Sequence, residues 1–202
     1  KSVYIVTCVL GLLVAAAAGC FLTAIKLAGA GFASPILGAS PIFSIGLALT
    51  FKGEQPELLA LVGALVIVFG VIILVTDSKR INKIEKRYVS NFGNLKIQGV
   101  TIGIGLAGMA SIAIAVAGYL ASGIVGSSTP GSVVAFYESL FGIFFVLIII
   151  IKFWDKQYIS KRGFYWMLPA GVVFALSVAS LYTALEKAPL SIVAPLAGTE
   201  PL

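Results

Sequence analysis

Apolar residues gather along this chain into long blocks separated by short polar stretches. Seven blocks can be drawn: Val3 to Leu27, Phe32 to Phe51, Glu57 to Val75, Gly99 to Val125, Gly131 to Ile151, Gly163 to Leu185, and a seventh that starts near Ser191. A helix of about twenty such residues crosses a hydrocarbon core about 30 Å thick, and each complete block is long enough to do so. The connectors Lys52 to Pro56 and Gly126 to Pro130 carry Gly, Pro and Ser, which turn a chain, so each reads as a tight hairpin between antiparallel spans. The expected fold is all-α, a polytopic transmembrane helix bundle.

Composition agrees with that reading. Hydrophobic residues make up 59% of the chain and charged residues 11%, against about 25% charged in a soluble domain, so the usual polar surface cannot be made. The chain opens at Lys1 without an initiating methionine and stops at Leu202 within an apolar stretch, and it reads as a fragment of a longer protein. The first block is too long for the apolar region of a signal peptide and lacks a basic segment before it, so it reads as a spanning helix. Cys8 and Cys20 share that block, about 120° apart around the helix. They cannot bridge and read as small buried hydrophobes. Histidine is absent, which removes His-based triads, His metal sites and imidazole relays.

The net charge of +6 lies in loops between spans, the placement typical of cytoplasmic loops rather than of a nucleic-acid surface. The stretch Asp77 to Lys96 holds six basic residues and the connector Lys152 to Arg162 holds four. Two spans separate these loops, so both lie on one side, and Lys26 joins them by parity. That side is expected to be the cytoplasm, and the membrane to be the cell membrane.

An internal repeat organises the chain. A shift of 160 positions aligns Lys1–Ile42 with Lys161–Leu202 without a gap, and nine of the forty-two pairs are identical. They include Gly11/Gly171, Thr23/Thr183, Pro35/Pro195, Gly38/Gly198 and Pro41/Pro201. Two prolines and a glycine in one register are not an accident of composition. An odd number of spans separates the copies, so the second enters the membrane in the opposite sense. Inverted repeats are a recurrent plan of secondary transporters, in which two bundles rock about a site near the midplane.

The run Gly38-Ala39-Ser40-Pro41-Ile42-Phe43, then Phe51-Lys52-Gly53-Glu54, then Gly63 and Gly70, resembles the end of an EamA domain of the drug/metabolite transporter superfamily. So does Thr199-Glu200-Pro201 in the second copy, and the stretch Pro130 to Tyr137 is similar to that family's second helix. The resemblance implies ten spans in two five-helix repeats. Residues 1–75 would then be the last three helices of the first repeat, 76–98 the basic loop joining the repeats, and 99–202 the first three helices and the start of the fourth of the second. Two departures stand out. Members often carry an arginine after the aromatic pair of the second helix, where this chain has Glu138, so substrate charge cannot be borrowed. The family's commoner orientation also places the Asp77 to Lys96 loop outside, against the charge count. An opposite orientation, an extra span upstream and a span count wrong by one all remain open.

Glu138 is the sharpest site candidate, because it lies a third of the way into its block and a charge at membrane depth costs several kcal/mol. It should face a cavity or a partner and suits a proton-coupling carboxyl, unless it reaches water at the interface or bonds structurally to a neighbour. Glu200 precedes Pro201, and its counterpart in the first copy is Ser40, so these two would lie across a pseudo-twofold axis. Pro41 and Pro201 each free the carbonyl four residues back, at Leu37 and Ala197, for substrate or water, or else simply kink the helix. Tyr137 and Tyr182 are candidates for lining the substrate path, with packing or interfacial anchoring as the alternative. Glu54 reads as architectural at a helix start, and Lys26, Glu186 and Lys187 as snorkelling at span ends.

The segment Gly103 to Gly108 matches GxGxxG, but it lies inside a spanning block with no preceding strand, so a dinucleotide site is rejected. Small residues instead recur every fourth position at Gly99, Gly103, Ala107, Ser111 and Ala115, and at Gly11, Ala15, Gly19 and Thr23, which lets helices approach closely.

The function expected is a secondary transporter of small organic metabolites or drugs, working by alternating access and driven by an ion or substrate gradient, with protons one candidate, or simply downhill. The sequence shows no Walker A motif and no soluble ATP-binding segment, and neither a cofactor nor a metal is expected. An intramembrane enzyme would need a clustered acid, base or nucleophile, which is not visible here. A scaffold or assembly factor would lack a polar path between the repeats, and a channel would need a polar ring. The partners expected are a small-molecule substrate and the lipid bilayer, without nucleic acid, and a homodimer is left open.

Overall fold

The computed structural model describes residues 2–53, 58–76, 98–125, 129–153 and 161–197. Their helices are α1 (Ser2–Ala28), α2 (Ala30–Leu37), α3 (Ser40–Leu47), α4 (Leu58–Thr76), α5 (Gln98–Ile124), α6 (Gly131–Phe153), α7 (Lys161–Lys187) and α8 (Leu190–Ala197). A π-type turn over Ala48–Lys52 extends α3. Among the described residues, four helical stretches are long and apolar enough to cross a membrane: Val3–Ala28, Ala30–Lys52, Gly99–Ile124 and Gly131–Ile148.

The distribution of side chains is that of a protein solvated by lipid. The buried set consists mainly of small residues, with Ala24, Ala28, Ala107, Ala110 and Ala115 fully enclosed. Large apolar side chains point outward instead, among them Leu22, Leu65, Phe69, Ile143 and Phe144. Water would penalise such a surface, whereas acyl chains solvate it, and small residues inside let helices meet by van der Waals packing.

The second apolar block is interrupted between Leu37 and Ser40, next to the helix-breaking Pro41. Pro41 has no N–H to offer the Leu37 carbonyl, and it enters instead within the first turn of α3. Around it the chain tightens to three-residue hydrogen bonds, Ala39 N–H to Ile36 O at 3.2 Å and Ile42 N–H to Ala39 O at 3.0 Å. Gly38 and Ala39 keep right-handed helical angles, so the break offsets the helix without turning it back. Gly29, with φ 82°, separates α1 from α2, and Gly53, with φ 64°, closes the π-type turn. Both angles favour glycine, which alone carries no Cβ penalty there.

The chain divides into two compact units. Residues 16–119 and 190–202 form one of them. Here Ala24, Ala33, Ile36 and Ala107 make a core flanked by Phe21, Ile25, Ile104 and Leu106. Gly103 of α5 lies so close to α1 that a Cβ on it would sit 2.8 Å from the Ala28 Cβ and 3.0 Å from the Ala28 nitrogen. The carbonyl that Pro41 leaves free at Leu37 is met by the Ser111 hydroxyl of α5 at 3.5 Å, a long hydrogen bond. Helix α8 packs on α3, the π-type turn and α4.

Residues 1–15 and 120–189 form the other unit. Contacts of α1 with α6 advance together, Tyr4 with Tyr137 and Gly11 with the stretch from Glu138 to Gly142, so this part of α1 runs parallel to α6. Between α6 and α7 they run oppositely, Gly131 with Glu186 and Glu138 with Tyr182. Within this unit α1 and α7 therefore point in opposite directions.

Candidate functional site

Helix α6 is clasped on two sides, by α1 beside Glu138 and by α7 two turns earlier at Gly131. On one side Gly11 of α1 replaces a side chain with backbone contact. A Cβ there would fall 2.6 Å from the Phe141 Cβ, 2.8 Å from the Gly142 nitrogen and 2.9 Å from the Glu138 carbonyl oxygen. On the other side Gly131, at the start of α6, meets α7, and a Cβ on it would stand 2.6 Å from the Tyr182 carbonyl oxygen. Both positions tolerate only hydrogen, so α1 comes close to α6 beside Glu138 and α7 comes close to it two turns earlier.

Glu138 is 7% exposed and Tyr182 4% exposed. The Tyr182 hydroxyl donates to Glu138 Oε2. One turn further along α7, Glu186 Oε1 accepts the N–H of Gly131, two turns before Glu138 on α6. The seam between α6 and α7 thus carries two polar rungs, the inner one buried and the outer one on an exposed glutamate. Among the described residues no buried side-chain nitrogen or oxygen is left without a partner.

A buried carboxyl with one phenol donor can change its role. Ionised, it only accepts hydrogen bonds, and the tyrosine must donate; protonated, it also gains an O–H donor. A site of this kind can take up and release a proton or present an acceptor to a bound molecule. No group of three or more metal-ligating side chains occurs among the described residues.

The other candidates fall elsewhere. Tyr137, half-buried, packs its ring edge-on against Tyr4, with centroids 5.2 Å apart, and against Phe136 at 5.6 Å. Ser40 starts α3 in the other unit, where its carbonyl accepts the Ser44 hydroxyl at 3.2 Å, and Pro41 beside it is buried. The Leu37 carbonyl is engaged by Ser111, which favours the packing role over an oxygen offered to substrate. Glu200 and Pro201 lie outside the described residues, as does Glu54. The residue that sequence reasoning misplaced is Glu186, assigned to snorkelling but bonded to the next helix. The available signal was a glycine following a proline at the start of α6, a helix whose first turn holds no acidic residue to cap it.

Helices of this length and surface define a multi-pass α-helical membrane protein. The model of the EamA-like transporter family matches residues 1–76, so that stretch of the chain is similar to an EamA-type transporter. No curated protein and no solved structure matches the chain.

Proposed function

We propose that this protein is a secondary transporter of small organic metabolites or drugs, working by alternating access in the cell membrane, with Glu138 as the proton-coupling carboxyl. The observation that carries the reading is the enclosure of Glu138 within a spanning helix, held by the Tyr182 hydroxyl. A charged side chain at that depth costs about 2.5–3.5 kcal/mol on insertion scales, which evolution tolerates where the group is used. Inverted copies supply the second support, because two bundles of one design can exchange inward-open and outward-open forms. The substrate is a small molecule, and the lipid bilayer is the surrounding partner.

Uptake into proteoliposomes of the full-length protein tests this, screened over amino acids, nucleosides and cationic drugs with and without a proton gradient. Glu138→Gln is expected to abolish stimulation by the gradient while downhill movement of substrate survives. Stimulation equal to that of the unmodified protein would remove the coupling role from Glu138.

A further inference from the structure

The outer rung of the α6/α7 seam has no counterpart in the first copy of the repeat. The 160-residue shift places Lys26 opposite Glu186 and Leu22 opposite Tyr182. A lysine ammonium only donates and leucine has no polar atom, so neither half of this arrangement can be built there. Both polar groups that α7 directs at α6 are therefore particular to the second copy, on one face and one turn apart.

The Gly131 N–H belongs to the first turn of α6, where backbone donors lack a partner within their own helix. The turn contains no acidic residue, and Glu186 supplies the acceptor from α7. A charge-assisted bond of this type is stronger than a neutral one and fixes direction as well as distance. It also pins the point where the α6 backbone comes closest to the Tyr182 carbonyl. Seven residues further along α6, about 10 Å at 1.5 Å per residue, the same tyrosine's hydroxyl reaches Glu138. Tyr182 is thus held between the two rungs, its backbone against Gly131 and its phenol on the carboxyl.

From this geometry we propose that Glu186 is a positioning residue for the Glu138 site: by accepting the Gly131 N–H it sets the spacing of α6 and α7 that seats the Tyr182 hydroxyl on Glu138. The inference rests on Glu138 being the functional carboxyl, and its test separates the two. Infrared difference spectra of the full-length protein in liposomes locate the Glu138 carboxyl stretch by its loss in Glu138→Gln, or the carboxylate stretch if the group is ionised. Glu186→Ala is expected to move that band and to lower proton-stimulated uptake about two- to tenfold, the worth of one hydrogen bond. Glu186→Gln, whose amide oxygen still accepts, is expected to restore both. A band unmoved in Glu186→Ala, or moved as far in Glu186→Gln, would overturn the proposal. If Glu186→Ala fails to insert, Gly131→Ala serves instead. Its methyl must displace the Tyr182 carbonyl, and an unchanged band there would count equally against the idea. Should Glu138→Gln keep its proton stimulation, the coupling function falls, while the band still reports whether Glu186 places the tyrosine.

Discussion

The two copies of the repeat, α1 with α2 and α7 with α8, share a backbone plan and differ in what secures it. Each is a 27-residue helix followed by an eight-residue helix with an internal proline, Pro35 or Pro195. The break between them is made by different chemistry. Gly29 takes a positive φ in the first copy, while Pro189 stands at the same position in the second, where it withholds an N–H and disfavours helix for the residue before it. Thr23 and Thr183 each bond the carbonyl four residues back at 2.8 Å. At the helix ends the likeness stops. The first copy closes on Gly103 through the methyl and backbone of Ala28, without a polar side chain, whereas the second closes on Gly131 with Tyr182 and Glu186 beside it. Among the described residues the breaks recur in both, while the bonds of Tyr182 and Glu186 fall where the first copy has Leu22 and Lys26. A scaffold with internal symmetry can therefore carry an asymmetric site.

Identical residues in unlike surroundings offer the strongest way to break this comparison. Gly11 and Gly171 align, yet Gly11 lies against the α6 backbone and Gly171 has nothing within 4 Å of a built Cβ. Overpacking of a tight contact costs about 1–3 kcal/mol, and Gly11→Ala is expected to lose that much in unfolding from mixed micelles. Gly171→Ala should be neutral or gain up to about 1 kcal/mol from helix propensity. Equal responses would mean that the two helices are packed alike after all.

A smaller effect is expected at the interruption of the first copy. The 3.5 Å bond from Ser111 to the Leu37 carbonyl is long, and hydrogen bonds between membrane helices average about 0.6 kcal/mol. Ser111→Ala should cost no more than that in the same unfolding assay. A loss several times larger would show the freed carbonyl to be a principal tie between α5 and the broken helix.

The smallest effects sharpen the likeness. Thr23→Val and Thr183→Val each remove a hydroxyl bonded only to its own helix, at an exposed position. Each is expected to change stability by less than about 0.5 kcal/mol, and by the same amount. A difference between them would show that one of these faces is covered in the whole protein.

Much of the fold was legible because long apolar blocks and their breaks are local properties. The ladder on α5 was largely legible, with Gly103, Ala107, Ser111 and Ala115 buried as their spacing suggested and Gly99 at its start only half-buried. The matching ladder on α1 was only half right: Gly11 and Ala15 are buried, while Gly19 and Thr23 are exposed. Spacing marks which face could pack closely, and only a neighbouring helix decides how far along it does so. Glu138 and Tyr182 each stood out as polar atoms on apolar spans. Their pairing did not, since it joins residues 44 positions apart. Glu186 was misplaced for a related reason, because a charge at a helix end looks alike whether it meets water or another helix.

By itself the sequence determined the solvent, the helices and the duplication, since each depends on the hydrophobicity and order of residues read one after another. Tertiary structure alone decided which small residues become contacts, that the carbonyl freed by Pro41 is taken by Ser111, and that Glu138 is answered by Tyr182. Those outcomes depend on the rotation and separation of two helices at once. In lipid, where apolar side chains gain little by leaving the solvent, close approach at a few glycines sets both.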